Sequence, residues 1–169
     1  MKIIAVDVDG VVAENHVEWL ARYNRDYNDT LTKDDWISWG IDKFVKPECG
    51  LKIYNYLKDP TLYDNIKPIS GALETINDLS KKYRIIYVTA TPIEASGVKY
   101  NWLKKYNFIT RIQDYVECSD KSLILADYLI DDNIDNIKTF SGVGYIFTQP
   151  WNINWYWPFR IDSWEEVLL

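Results

Sequence analysis

Two aspartates separated by a single valine, Asp7-Val8-Asp9, close the first apolar run of this chain, and Gly10 follows at once. Carboxylates two residues apart share one side of an extended chain. Held that close they repel, unless a cation sits between them or one takes up a proton. Gly10 frees the backbone for a tight turn near a ligand. Taken alone, these residues also fit a strand end whose acids enter a solvated turn. Three later positions change the balance. Thr89 ends the run Arg84-Ile-Ile-Tyr-Val-Thr89, Lys121 precedes another apolar run, and that run closes on adjacent Asp131 and Asp132. Carboxylates, a hydroxyl and an ammonium form a coherent inventory for phosphoryl chemistry. Hard carboxylate oxygens suit Mg²⁺, which prefers to share a phosphate oxygen as ligand. A hydroxyl and a lysine hold the other phosphate oxygens and offset charge in the transition state. An aspartate can itself attack phosphorus. Each residue has an ordinary reading by itself: Lys121 as a surface lysine, Thr89 as a strand residue, Asp131-Asp132 as acids complementing a helix dipole. Their order and placement carry the argument.

The elements that must position these groups alternate. Strand-like runs fall at residues 1–6, 84–89, 127–131 and 144–148, with a weaker one at 113–117. Helical patterns lie between them, over 70–82 with Leu73, Ile76 and Leu79 on one face, over 96–106, and over 132–139. Such alternation predicts an α/β fold, a Rossmann-like parallel sheet in a three-layer core, with ligands bound at the carboxyl ends of the strands. One segment breaks the pattern. Residues 14–67 contain no convincing strand but many aromatics and helical stretches, one of them with Val17, Leu20, Ala21 and Asn24 on one face and Trp19, Tyr23 and Tyr27 on another. Thr32 and Asp35 fit a capping box, and residues 49–58 form a further helical stretch. The expected organisation is a catalytic core of residues 1–13 and 68–169 with a small helical cap, 14–67, inserted after the first strand. Residues 149–159 have no period and predict an irregular aromatic flap. Ser163-Trp-Glu-Glu166 predicts a capping box opening a short terminal helix.

Composition narrows the partners. The 169 residues suit one domain, or a core with a modest insertion. A net charge of −6 without a basic run excludes a duplex-binding surface, while local cations and a metal still admit a small anionic substrate. Cys49 and Cys118 lie in no metal-ligand spacing and read as free thiols of a reducing compartment, with a disulfide left open. Without a signal-like or membrane-length apolar run, the expected location is the cytoplasm, with no membrane partner. The oligomeric state is open, a homodimer included.

At this point the chain resembles a family. Asp7-Val-Asp9-Gly10-Val-Val, the strand ending at Thr89, Lys121, and Leu129-Ile-Asp131-Asp132 resemble the four motifs of the haloacid dehalogenase superfamily of Mg²⁺-dependent phosphohydrolases. The likeness is closer to one branch, the 5′(3′)-deoxyribonucleotidases. Ile69-Ser-Gly71-Ala, Thr89-Ala-Thr-Pro92-Ile, Lys99-Tyr-Asn-Trp102-Leu, Ala126-Asp-Tyr-Leu-Ile-Asp-Asp132, Gln149-Pro-Trp151-Asn and Ser163-Trp164-Glu-Glu-Val are all similar to it. The resemblance implies that Asp7 is the nucleophile and Asp9 the proton carrier, with its backbone carbonyl toward the metal. It implies that Thr89, Ala90, Lys121 and Lys99 bind phosphate, and that Asp131 and Asp132 complete a Mg²⁺ site with Asp7 and Asp9. Trp36-Ile37-Ser38 matches the base-contacting pattern of the branch, and Trp36 and Phe44 are the expected base-stacking residues. Trp39 and Tyr63 read more simply as filler, and His16 as a structural or surface histidine. Ala90, Ser119 and Asn15 depart from the branch, which usually has a serine, a basic residue and an aromatic there. The implied activity is dephosphorylation of (deoxy)ribonucleoside monophosphates through an aspartyl phosphate. The alternatives are another small phosphate ester as substrate, or a non-catalytic binding module.

Overall fold

The computed structural model describes residues 1–167. Leu168 and Leu169, the end of the expected terminal helix and of the 68–169 stretch, lie outside the described residues. Six strands, β1 (Ile3–Val6), β2 (Arg84–Thr89), β3 (Tyr115–Glu117), β4 (Tyr128–Asp131), β5 (Val143–Phe147) and β6 (Arg160–Ile161), share one sheet in the order β3-β2-β1-β4-β5-β6. Every pairing is parallel. The central strands read as unbroken apolar runs because both faces are covered. Ile4, Val6, Tyr87 and Ile130 enter one core, while Ala5, Ile86, Val88 and Leu129 enter the other. Helices α1 (Asn15–Tyr27), α2 (Ala72–Ser80) and α3 (Val98–Lys105) contribute to the first core, and α4 (Ile134–Thr139) to the second. The result is the expected three-layer α/β arrangement. The strand order reverses between β1 and β4, and an open parallel sheet binds its ligands at such a reversal, outside the strand ends.

Residues 14–67 leave this core and return to it at one place. Glu14 N–H donates to the Lys67 carbonyl at 3.0 Å, and Ala13 bridges Pro68. Among the described residues, the segment holds no strand. It consists of α1 and four 3₁₀ stretches, Lys33–Asp35, Ile41–Lys43, Gly50–Lys58 and Pro60–Asp64. Asp35 accepts from both the N–H and the hydroxyl of Thr32, at 2.8 and 2.5 Å, which ties off the first of them. The sequence offered two faces of α1, and the buried side draws on both. Trp19, Leu20 and Tyr23 are buried together with Asn15 and His16, whereas Val17 is 58% exposed. Tertiary contacts chose between two comparably apolar faces: Trp19 Nε1 donates to the Ile53 carbonyl at 2.9 Å, and His16 meets Trp151 edge-on.

Other boundaries moved for local reasons. α2 and α3 begin after Gly71 and Gly97, whose φ values of +73° and +79° a helix cannot contain. The strand expected from residue 113 starts at Tyr115, because Ile112–Asp114 form a 3₁₀ turn that Arg111 and Arg84 pin through the Asp114 carboxylate. Ser163 makes no side-chain cap, and Trp164–Glu166 form a single 3₁₀ turn. That turn is held by Trp164, whose indole donates to the Val11 carbonyl at 2.7 Å and whose own carbonyl accepts from Thr75 at 2.9 Å. β6 has two residues, too few to leave a sequence signal. Both cysteines are free thiols.

Candidate active site

β1 delivers Asp7 to the strand reversal. The ladder runs one residue past the strand, with Asp7 N–H donating to the Ile130 carbonyl at 2.9 Å, so Asp7 stands beside the end of β4. The chain then turns sharply: the Val8 carbonyl accepts from Val12 and Ala13 at 3.0 and 2.9 Å, and Gly10 adopts φ +72°. A side chain at Gly10 would also place its Cβ 2.6 Å from Asp132 Oδ2. The two aspartates line the same cavity but pair with different cations, Asp7 with Lys121 and Asp9 with Lys99.

Asp7 Oδ1 lies 2.7 Å from Lys121 Nζ, and Lys121 reaches Asp131 Oδ2 at 2.5 Å. Lys121 is 2% exposed. Burial alone would lower its proton affinity, but Asp131 and Asp7 outweigh that and hold its pKa above the ordinary lysine value. Asp131 also accepts from the Asn133 N–H at 2.8 Å and from Asn136 Nδ2 at 3.0 Å. Asp132 accepts from Trp151 Nε1 at 2.9 Å and has no ion-pair partner among the described residues. Asp9 turns to different partners. Lys99 Nζ, from α3, is 2.6 Å from Asp9 Oδ2, 2.9 Å from Thr89 Oγ1 and 2.5 Å from the Ala90 carbonyl. Tyr63, from the 3₁₀ stretch Pro60–Asp64, hydrogen-bonds the other Asp9 oxygen. Burial raises the pKa of Asp9 against the pull of Lys99, with the Asp7 charge adding to the rise.

Carboxylate oxygens of Asp7, Asp131 and Asp132 lie within 4.8 Å of one another, and all three residues are buried. One ammonium for three buried carboxylates leaves excess negative charge in a poorly hydrated place. Burial, then Asp131 and Asp7, push the proton affinity of Asp132 well above the carboxylate range. A hard divalent cation fits this donor set by charge and by ligand type. The Asp9 side chain is not among the converging groups.

These groups open into a cavity of about 260 Å³. Its lining includes Asp7, Asp9, Thr89, Ala90, Lys121, Asp131 and Asp132. Aromatics from residues 14–67, Trp19, Trp36, Trp39 and Tyr54, line it too, together with Trp151 from the segment after β5. Trp36 stacks on Trp151 with ring centroids 4.2 Å apart. Of the expected base-contacting residues, Trp36 lines the cavity and Ile37, Ser38 and Phe44 do not. Ile37 and Ser38 are exposed beyond the short turn that buries Trp36, and Phe44 packs against the apolar core. Sequence reasoning assigned no polar role to Tyr63 or Trp151. Both were legible as aromatics, but a hydrogen bond to a carboxylate distant in sequence leaves no spacing to read.

Comparison with known proteins gives a consistent outcome. A family model described as 5′ nucleotidase, deoxy (pyrimidine), cytosolic type C protein (NT5C) matches residues 1–169. A 5′(3′)-deoxyribonucleotidase of Clostridium acetobutylicum is 37% identical over 145 residues, covering 85% of this chain and 80% of that one. Another, of Bacillus subtilis, is 32% identical over 169 residues, covering 98% and 96%. Among solved structures, the HAD-hydrolase YfnB of Bacillus subtilis, bound to magnesium, superposes with a TM-score of 0.61 at 15% identity, covering 98% of this chain and 96% of that one. At that identity the likeness concerns the fold alone.

Proposed function

The chain belongs to the family of 5′ nucleotidase, deoxy (pyrimidine), cytosolic type C proteins, hydrolases on a haloacid dehalogenase-type α/β fold, and from that membership we propose that it is a Mg²⁺-dependent phosphomonoesterase of (deoxy)ribonucleoside monophosphates working through an aspartyl phosphate at Asp7. The observation that carries this reading is the Asp7 carboxylate. It is bonded to Lys121, converges with Asp131 and Asp132, and lines a cavity that also has several aromatic walls.

Asp7, Asp131 and Asp132 would hold the metal. When bound, Mg²⁺ neutralises phosphate oxygens and makes the phosphorus more electrophilic. The protein's own groups do the rest. Asp7 attacks phosphorus and the ester P–O bond breaks; Asp9 gives its proton to the departing sugar oxygen. Asp9, now ionised, takes a proton from water as the water oxygen attacks the aspartyl phosphate, releasing inorganic phosphate and restoring Asp7. Thr89, the backbone at Ala90, and Lys121 orient the phosphate oxygens, with Lys121 also offsetting charge in the transition state. Lys99 bonds both Asp9 and Thr89. Its reading therefore changes from a direct phosphate ligand to the group that sets the proton carrier and the hydroxyl relative to each other. Residues 14–67 act as a cap, and Trp36 supplies a base-facing surface. Free thiols at Cys49 and Cys118 fit work in a reducing cytoplasm.

The test is phosphate release from a panel of deoxyribo- and ribonucleoside 5′- and 3′-monophosphates, with Mg²⁺ and with chelator. Sugar phosphates and p-nitrophenyl phosphate complete the panel. Mg²⁺-dependent release from nucleotides is expected. Release from sugar phosphates alone overturns the substrate reading, and activity that survives thorough chelation overturns the metal.

A further inference from the structure

Trp151 comes from the irregular stretch between β5 and β6, outside the strand ends that carry Asp7, Thr89 and Asp131, yet it touches both halves of the site. Its indole N–H donates to Asp132 Oδ2 at 2.9 Å, and its ring stacks on Trp36 at 4.2 Å with an interplanar angle of 28°. Trp151 is 3% exposed. The backbone around it is fixed to the same turn and strand end. Gln149 Nε2 donates to the Gly10 carbonyl at 2.5 Å, and Asn152 Nδ2 donates to the carbonyls of Asp132 and Phe147 at 2.8 Å each. Arg160 Nη1 holds the Asn152 side-chain oxygen at 3.0 Å.

From this geometry we infer that Trp151 is a positioning residue: its N–H sets the Asp132 carboxylate for metal binding, and its ring is the core-side seat on which Trp36 docks. This inference rests on the reading of Asp132 as a metal ligand. The physical case is that Asp132 is buried, carries no ammonium partner, and has Trp151 as its only side-chain hydrogen-bond donor among the described residues. A lone carboxylate in that position has rotamers that point away from Asp7 and Asp131. A rigid indole, locked between the Trp36 ring and the Gln149–Asn152 backbone, removes that freedom. Partners of this kind around a metal ligand commonly change affinity by about 10–100-fold when lost. Because one indole does both jobs, departure of Trp36 from its seat loosens the group that aims Asp132.

The measurement is Mg²⁺ binding to the metal-free protein without substrate, by calorimetry and by protection against thermal unfolding. Trp151→Phe keeps an aromatic ring on Trp36 and removes the N–H. It should weaken Mg²⁺ binding by about tenfold or more, with kcat recovering at saturating Mg²⁺. Trp36→Leu leaves the N–H in place; its Mg²⁺ affinity should fall by less than that of Trp151→Phe, while KM for nucleotides rises. Unchanged Mg²⁺ affinity in folded Trp151→Phe, with binding lost in Asp132→Asn, overturns the role of Trp151 and leaves the metal reading standing. Failure of the wild-type protein to bind Mg²⁺ overturns both. If Trp151→Phe does not fold, ¹H–¹⁵N spectra of the wild-type protein decide. The Trp151 indole resonance, assigned from its contacts to Trp36, must move on Mg²⁺ addition, and a resonance that stays fixed overturns the proposal.

Discussion

Lys99 and Asp9 form an ion pair at 2.6 Å across the gap between α3 and the turn after β1, and the lysine end of it is 5% exposed. The same ammonium bonds Thr89. One cation thus sets two groups to which the proposed mechanism gives different tasks, Asp9 as proton carrier and Thr89 as phosphate-holding hydroxyl. Removing it should disturb chemistry more than binding. Lys99→Met keeps the stem packed and deletes the charge. We expect kcat to fall by about 10²-fold or more, as for loss of a well-placed acid–base group, with a smaller change in KM. Steady-state kinetics check this, and a pure KM effect would return Lys99 to direct phosphate binding.

Asp7→Asn retains shape and hydrogen bonding and removes the nucleophilic charge. Turnover should vanish while the circular dichroism spectrum and thermal transition persist. A ³²P-labelled or acid-stable phosphoenzyme adduct in the wild-type protein, absent from this variant, is the matching observation. Appreciable activity in a clean preparation of the variant refutes nucleophilic Asp7.

Lys121→Met leaves Asp7, Asp131 and Asp132 buried with no cation among them. Breaking a buried pair from one side costs about 3–5 kcal/mol, so the metal-free variant should melt well below the wild-type protein. Added Mg²⁺ should recover more stability in the variant than in the wild type, because it replaces the missing charge. Differential scanning calorimetry with and without Mg²⁺ reads both. Equal melting of the two metal-free proteins would mean that the carboxylates are already protonated.

His16 is buried against Trp151, and burial first, then Lys33, pushes its pKa down to about 4 from its ordinary 6.5. The folded state therefore binds its proton less readily than the unfolded chain. Between pH 6.5 and about 4 the unfolded state takes up the extra proton, so this histidine's contribution to stability falls as pH drops through that window and is constant above it. In denaturant titrations, His16→Phe should flatten the acid decline of wild-type stability across that window. Parallel curves for the two proteins would place the His16 pKa near its unfolded value.

The sequence alone determined five of the six strands and the residue composition of the candidate active site. Both-face burial writes itself as continuous apolar runs, as in β1, β2 and β4, and a parallel sheet puts polar residues at the strand ends by rule. Asp7, Thr89, Asp131 and Asp132 were legible for that reason, at the ends of their runs, whereas Lys121 lies in the loop before β4 and was found only by its order among them. What only the tertiary structure decided concerns direction. Asp9 pairs with Lys99 and Tyr63 while Asp7 pairs with Lys121, a division of partners that the spacing of the two acids does not record. Tertiary packing also decided which face of α1 is interior. Of the four residues expected at the base, it put Trp36 on the cavity and left Ile37, Ser38 and Phe44 off it. It also bound Trp151 to Asp132 and Trp36 at once. These outcomes depend on contacts between residues far apart in the chain, whose geometry no local period records.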